Sequence, residues 1–381
     1  MDDSLSKPDA LGMKPLKLLV LPGDGVGPEV TDQALRVLAW FSTHRGLGLK
    51  VVRRDFGMAN WRAHGTLMPE ETWERIQDAD AILFGAVGSL DQQGTVPAEE
   101  RRKGSLLRLR KALDLFANLR PIRMPEALLE ASPYKPRVVE GADLLIVREL
   151  TSGMYFGTPR GIETLADGTR RGVNTHSYTE DEIVRIIRAA CILARGRRSH
   201  VTSVDKANVM EAGALWREVA TRIAAEEFPG ITMEHMLADN CAIQLAREPT
   251  RFDVLVTDNL FGDILSDAAG ALIGSLGMLP SASLSPPDGE GRRRAFYEPV
   301  HGSAPDIAGR GIANPLGAIL SVAMLLRWSA GRPEDAALLE AAVDRALTRG
   351  ARTADIAAPG EPTIGTADMG DAVLAELHAE A

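Results

Sequence analysis

The chain has 381 residues, 45% of them apolar and 25% charged, and a formal net charge of −9 from 43 basic and 52 acidic side chains. That is ordinary globular usage over a length for two or three domains, which excludes a disordered, collagen-like or coiled-coil chain. The acidic balance argues against general nucleic-acid binding. The longest apolar runs, such as Leu18–Leu21 and Ala81–Phe84, are far too short to cross a bilayer.

Residues 1–14 have no basic start followed by an apolar stretch, so they read as a disordered lead-in rather than a secretory signal. Lys17–Leu21 is a short apolar run that ends at Pro22-Gly23-Asp24-Gly25. Pro28 and Glu29 then open an amphipathic helix that runs to about His44, with proline and an acid in the first turn. Val51–Arg54 reads as a strand, Pro69–Asp78 as a helix and Ala81–Val87 as a buried strand. A helix follows at about Leu106–Phe116, with Leu106, Leu109 and Leu113 on one stripe. Next come a strand at Leu144–Val147, a helix at Thr179–Ala194, a strand at Val201–Val204 and a helix at Met210–Glu226. After a helix at 240–247, the strand Val254–Thr257 runs into the helix Leu260–Ile273. Residues 280–295 read as a Pro/Gly/Arg-rich loop, followed by helices at roughly 315–328 and 333–349. The alternation predicts an α/β fold with a largely parallel sheet. No flexible linker divides the chain, so a second domain must be an insertion.

Two cysteines, Cys191 and Cys241, make no disulfide framework and suggest a reducing compartment. The seven histidines (44, 64, 176, 200, 235, 301 and 378) lack the close spacing of a zinc site. Asp263 and Asp267 stand at i and i+4, so both carboxylates share a helix face and repel unless something positive lies between them. Mg²⁺ or Mn²⁺ would suit such a pair, and so would an acidic first turn that complements the helix dipole. Asp239 precedes the helix at 240–247, as either a third metal ligand or an N-cap. Arg110, Arg120 and Arg148 lie in an otherwise acidic protein, in a helix, before Pro121 and at a strand end. Arginine forks bind carboxylates, and a small di- or tricarboxylate could engage several. Lys206 follows a strand and could act as a base near a metal, and Tyr155 is one of only four tyrosines. His301–Gly309 is rich in small residues, but neither it nor Gly23–Gly27 carries the G-x-G-x-x-G fingerprint.

The strings LPGDGVGPEV, DLFANLRP, DLLIVRELTSGMYFGTPRG, SVDKANVMEAGALWREV, FGDILSD, GMLPSASL and EPVHGSAPDIAGRGIANP resemble the 3-isopropylmalate branch of the metal-dependent β-decarboxylating dehydrogenases. The likeness covers about Lys17–Arg327. It implies an isocitrate/isopropylmalate dehydrogenase-like three-layer α/β/α fold without a conventional Rossmann fingerprint. One domain would be built from roughly 15–118 plus 273–381 and bind NAD, and the middle, 119–272, would form the second domain and the dimer contact. By the same resemblance Arg110, Arg120 and Arg148 clamp substrate carboxylates, and Asp239, Asp263 and Asp267 hold a Mg²⁺ or Mn²⁺ ion. Tyr155 and Lys206 form the catalytic pair, and Lys206 and Asp239 of one subunit complete the partner's site in a homodimer. His301, Gly302, Ser303, Ala304, Pro305, Asp306, Ile307 and Asn314 line the adenosine side of the NAD site, with Asp306 opposing a 2′-phosphate.

The implied activity is NAD-dependent oxidative decarboxylation of 3-isopropylmalate in leucine biosynthesis, in the cytoplasm, with no nucleic acid or membrane partner. Leu106 and Leu107, one turn before Arg110, would face the substrate's branched side chain, and the absence of the isocitrate branch's Ser and Asn here disfavours isocitrate. The loop at 91–105 departs from the isopropylmalate pattern: Lys103 stands near an expected glutamate, and Gly104-Ser105-Leu106-Leu107 is similar to the tartrate/D-malate branch. Those malates are the near alternative, and a non-catalytic regulatory paralogue is the alternative of another class.

Overall fold

The computed structural model describes residues 15–88 and 92–380. The lead-in expected at 1–14 and residue 91 of the unusual loop lie outside the described residues. The chain divides into two compact units, one from both chain ends plus 124–140, the other from Phe116–Arg123 and Gly141–Ala269.

In the first unit five strands lie in the order Leu49–Arg53, Leu16–Gly23, Ala81–Ala86, Ala295–Pro299, Pro280–Leu284. The first four run parallel, with Leu18 against both Val51 and Ala81 and Ala295 against Ala81. Pro280–Leu284 is antiparallel to Ala295–Pro299, with Ser281 opposite Glu298. Successive side chains of Leu16–Gly23 alternate faces. Leu19 and Leu21 pack with Phe84, Ile76, Leu109 and Leu113 on one face. Gly27–Arg45, Leu316–Trp328, Pro333–Thr348 and Thr366–His378 are the long helices of this unit, and the buried Val30, Val37 and Phe41 of the first supply its core side.

In the second unit the order is Ala117–Arg123, Asp143–Glu149, Val254–Thr257, His200–Asp205, Thr232–Leu237. Only the first pair is antiparallel. Helices Glu180–Arg195 and Glu211–Glu227 bury Ile183, Ile187, Trp216 and Ile223. Thr179 and Glu182 form a capping box at the first of them.

Several expectations need correction. The stretch 280–295 is not simply a loop. Pro280–Leu284 is a strand buried at all five positions, because its small side chains fit between packed layers where composition reads as a turn. The helix expected to reach Phe116 ends at Ala112, and Ala117–Arg123 is a strand. Gly161–Thr164 and Arg170–Val173 form an exposed antiparallel hairpin where no strand was expected. The segment 124–140 belongs to the first unit, not to the middle domain as expected. It is tied there by Arg352 Nη2 donating to Ala127 O at 2.7 Å and by Ser132 Oγ donating to Leu272 O at 2.7 Å.

Candidate active site

The second unit builds a charged cluster around Asp263. Arg120 and Asn118 stand two residues apart on one strand, and Arg148 is directly opposite Asn118 on the next, so all three share a sheet face. The helix Asn259–Gly270 starts just after Val254–Thr257, whose Thr257 is in register with Arg148. About two turns of that helix, Asn259 to Asp267, then meet both guanidinium groups. Arg120 donates to Ser266 Oγ at 2.7 Å and Asp267 Oδ1 at 2.9 Å, and its Nη2 is 3.6 Å from Asp263 Oδ1. Arg148, 2% exposed, donates from Nη1 to Asp263 Oδ1 and from Nη2 to Asn259 Oδ1 at 2.8 Å. The Tyr155 hydroxyl donates to Asp263 Oδ2 at 2.7 Å.

The positive charge between the two aspartates is therefore Arg120. Two carboxylates and two guanidinium groups balance, which offsets the burial of the two arginines, 3% and 11% exposed at their side chains. Asp263 and Asp267 also present hard oxygen donors on one helix face, chemistry that fits Mg²⁺ or Mn²⁺ but is short of the six or so ligands such ions take. Among the described residues no group of three or more His, Cys, Asp or Glu side chains is placed to hold a metal.

Lys206 and Asp239 form a second cluster. Strands His200–Asp205 and Thr232–Leu237 end in register, Asp205 against Leu237, so Lys206 and the helix Ala238–Arg247 emerge side by side. Asp239 sits inside that helix's first turn rather than capping it, and Leu237 is the cap residue. Lys206 Nζ donates to Asp239 Oδ1 at 2.6 Å. This hydrogen bond is the main reason the Asp239 carboxyl lies below the usual carboxylate range. Below the lysine, Arg217 grips the buried Asp205 bidentately at 2.9 and 3.0 Å. The three expected metal ligands thus fall into two clusters: Asp263 and Asp267 in one, Asp239 in the other.

The remaining expected residues lie in the first unit. Ser105 caps the helix Leu106–Ala112 by accepting from Leu107 N at 3.1 Å. Arg110 donates to Glu298 Oε1 at 3.0 Å, and its buried Nε has no hydrogen-bond partner. Leu106 packs on the core cluster beside Leu109, so most of it serves the core rather than a ligand, while Leu107 is half-buried. Lys103 pairs with Glu100 at 3.1 Å and Glu99 at 3.4 Å, and Arg108 stacks 3.8 Å over Trp73. Lys103 and Arg110 are therefore both paired with carboxylates of their own unit.

The segment 301–314 is held from beneath by the first turn of Gly27–Arg45 and the residues before it. Val26 N donates to Ser303 O at 2.8 Å, and Ser303 Oγ donates to Gly88 O at 2.6 Å. A Cβ on Gly25 would collide with Ser303 O, so only glycine allows this approach. The Glu29 carboxylate accepts from Gly309 N and, at 3.0 Å, from Gly311 N. Asn314 ties the far end, donating to Asp355 Oδ2 at 3.1 Å. His301 Nε2 is buried without a partner, and burial pulls its imidazole below the usual value. Gly302, Pro305 and Asp306 are exposed, and Ala304 and Ile307 half-buried. A buried polar atom awaiting a partner beside a backbone loop fits a nucleotide cofactor.

Sequence reasoning gave no site role to Asn259, Ser266, Glu298 or Glu29, the last being read only as the acid of a helix's first turn. Glu29 and Glu298 lie inside the quoted strings, and Asn259 just before one, so the signal was present but carried no partner.

Residues 17–373 match the family described as isocitrate/isopropylmalate dehydrogenase. The 3-isopropylmalate dehydrogenase of Gluconobacter oxydans is 55% identical over 95% of this chain and 98% of its own. The 3-isopropylmalate dehydrogenase 1 of Bradyrhizobium diazoefficiens is 56% identical over 95% of each chain. Among solved structures, the isocitrate dehydrogenase of Methylococcus capsulatus matches with a TM-score of 0.81 and 34% identity over 95% of this chain and 99% of that one. No helix among the described residues is long and apolar enough to cross a membrane.

Proposed function

The chain belongs to the isocitrate/isopropylmalate dehydrogenase family, and from that premise we propose that it oxidatively decarboxylates 3-isopropylmalate to 4-methyl-2-oxopentanoate with NAD, in leucine biosynthesis. The observation that carries the reading is the Asp263 cluster, where two arginines and a tyrosine converge on one carboxylate. Arg120 and Arg148, with Arg110, bind the two carboxylates of the substrate. Asp263 and Asp267, with Asp239, are the residues that would hold the divalent ion. When bound, the ion would supply Lewis-acid polarisation of the substrate hydroxyl and its neighbouring carboxylate, and NAD would supply the hydride acceptor. Lys206 takes the hydroxyl proton, and the Tyr155 phenol returns a proton to carbon 3 once CO₂ has left.

Lys206 and Asp239 pair with each other rather than with Tyr155 or Asp263. This supports a homodimer in which they serve the partner's site. His301–Ile307 and Asn314 form the adenosine side of the NAD site, and the exposed Asp306 would repel a 2′-phosphate. Two free, buried cysteines suit a reducing cytoplasm.

A second reading, D-malate or tartrate, is favoured by Lys103 and the Gly104-Ser105 turn, where Lys103 is occupied by Glu99 and Glu100. The test is NADH formation with Mn²⁺ or Mg²⁺, comparing 3-isopropylmalate, D-malate, tartrate and isocitrate. The expected result is a kcat/KM preference of about 100-fold for 3-isopropylmalate, equivalent to about 2.7 kcal/mol. Preference for D-malate or tartrate would move the protein to the sister reaction, and no turnover of any of them would favour the non-catalytic reading.

A further inference from the structure

Arg148 must present its guanidinium to a carboxylate in a fixed plane, and three contacts from the start of one helix hold it. Asn259 Oδ1 accepts from Arg148 Nε at 3.2 Å and Nη2 at 2.8 Å, and so spans one edge of the fork. Asp263 accepts from Nη1. Between them Gly262 lies against the stem, and a Cβ there would come within 2.5 Å of Arg148 Cγ. Asn259 is itself immobilised. It is 1% exposed, its backbone N–H donates to the Tyr178 hydroxyl at 2.9 Å, and its Nδ2 donates to Ser152 O at 3.1 Å. Ser152 immediately precedes the turn Gly153–Tyr155, which carries the Tyr155 hydroxyl to Asp263. One amide therefore accepts on the arginine side and donates on the tyrosine-loop side, a combination that an ionised carboxylate of the same size does not provide.

We infer that Asn259 is a positioning residue that sets the plane of the Arg148 guanidinium for the substrate carboxylate. The inference rests on the proposed dicarboxylate reaction. An arginine that loses this restraint still carries its charge, but it spends ordering entropy each time it meets a ligand. The loss should therefore appear in substrate binding and leave the cofactor untouched. Because the carboxylate is common to every malate, the penalty should not depend on the substrate's side chain.

The test compares wild type and Asn259→Ala in steady-state kinetics with 3-isopropylmalate and with D-malate, together with an NADH fluorescence titration. The expected result is a substrate KM raised about tenfold by the same factor for both substrates, with NADH affinity within twofold of wild type. A KM unchanged while kcat falls means only that less enzyme is folded, and it overturns the inference. So does an equal loss of NADH affinity. If the alanine variant does not fold, Asn259→Asp keeps the size and the acceptor. Its substrate KM should stay within about threefold of wild type, since both arginine hydrogen bonds survive, and a tenfold rise would overturn the role. Wild-type enzyme that turns over neither substrate would sink the proposed reaction and the inference with it. Wild-type turnover with an unshifted alanine KM would sink only the role of Asn259.

Discussion

Asp263 and Asp239 both lie on helices that follow parallel strands, yet their surroundings differ. Asp263 meets Arg148, Arg120 and Tyr155, and Arg148 is 2% exposed. Asp239 meets one lysine, with the Lys206 and Asp239 side chains 25% and 66% exposed. The first arrangement places two largely buried arginines, 3% and 11% exposed at their side chains, against carboxylates that keep part of their hydration, and a buried guanidinium is tolerable only where charges and hydrogen bonds meet it. The second is a solvated pair whose ionic partner adds little to stability. The difference teaches that the same residue type serves two ends. The Asp263 cluster joins several partners within one chain, and the Lys206–Asp239 pair is a two-residue contact whose carboxylate is exposed.

The largest expected effect breaks the first cluster. Asp263→Ala leaves the buried Arg148 without its carboxylate, so urea unfolding should show a loss of about 3 kcal/mol, with no measurable NADH formation. Next, Lys206→Met should separate activity from stability. Its kcat should fall by about 10²–10⁴-fold, while the unfolding free energy stays within about 0.5 kcal/mol of wild type, as for an exposed pair. If Lys206→Met proved as destabilising as Asp263→Ala, the contrast would collapse. A smaller effect extends the comparison to the first unit. Glu29→Gln weakens the acceptor for Gly309 N and Gly311 N, so NADH affinity measured by fluorescence should drop about fivefold to tenfold, the loss of about 1 kcal/mol expected for one charge-assisted hydrogen bond. Substrate KM should not move.

The strands and long helices were legible because buried parallel strands and amphipathic helices write themselves in local periodicity. Pro280–Leu284 was not, since its serines look like a turn until their burial is known. The site residues stood out by type, but their partners did not. Arg110 reaches Glu298 across 188 positions, and Arg120 reaches Asp267 across 147. No local spacing reveals that Arg120, more than 140 positions away, reaches both Asp263 and Asp267 in the folded chain. Asn259 was silent for the same reason: a buried asparagine gains meaning only from the two groups it links.

The central claim is that the Asp263 cluster and the Lys206–Asp239 pair serve one site only when two copies of the chain meet. It is tested most directly by mixing two inactive variants, Tyr155→Phe and Lys206→Met, unfolded and refolded together in equal amounts. A shared site leaves one intact site in each mixed dimer, so activity should return to about a quarter of the wild-type value. Activity no greater than the sum of the two variants refolded apart would contradict the account, and would mean that each chain builds its site alone.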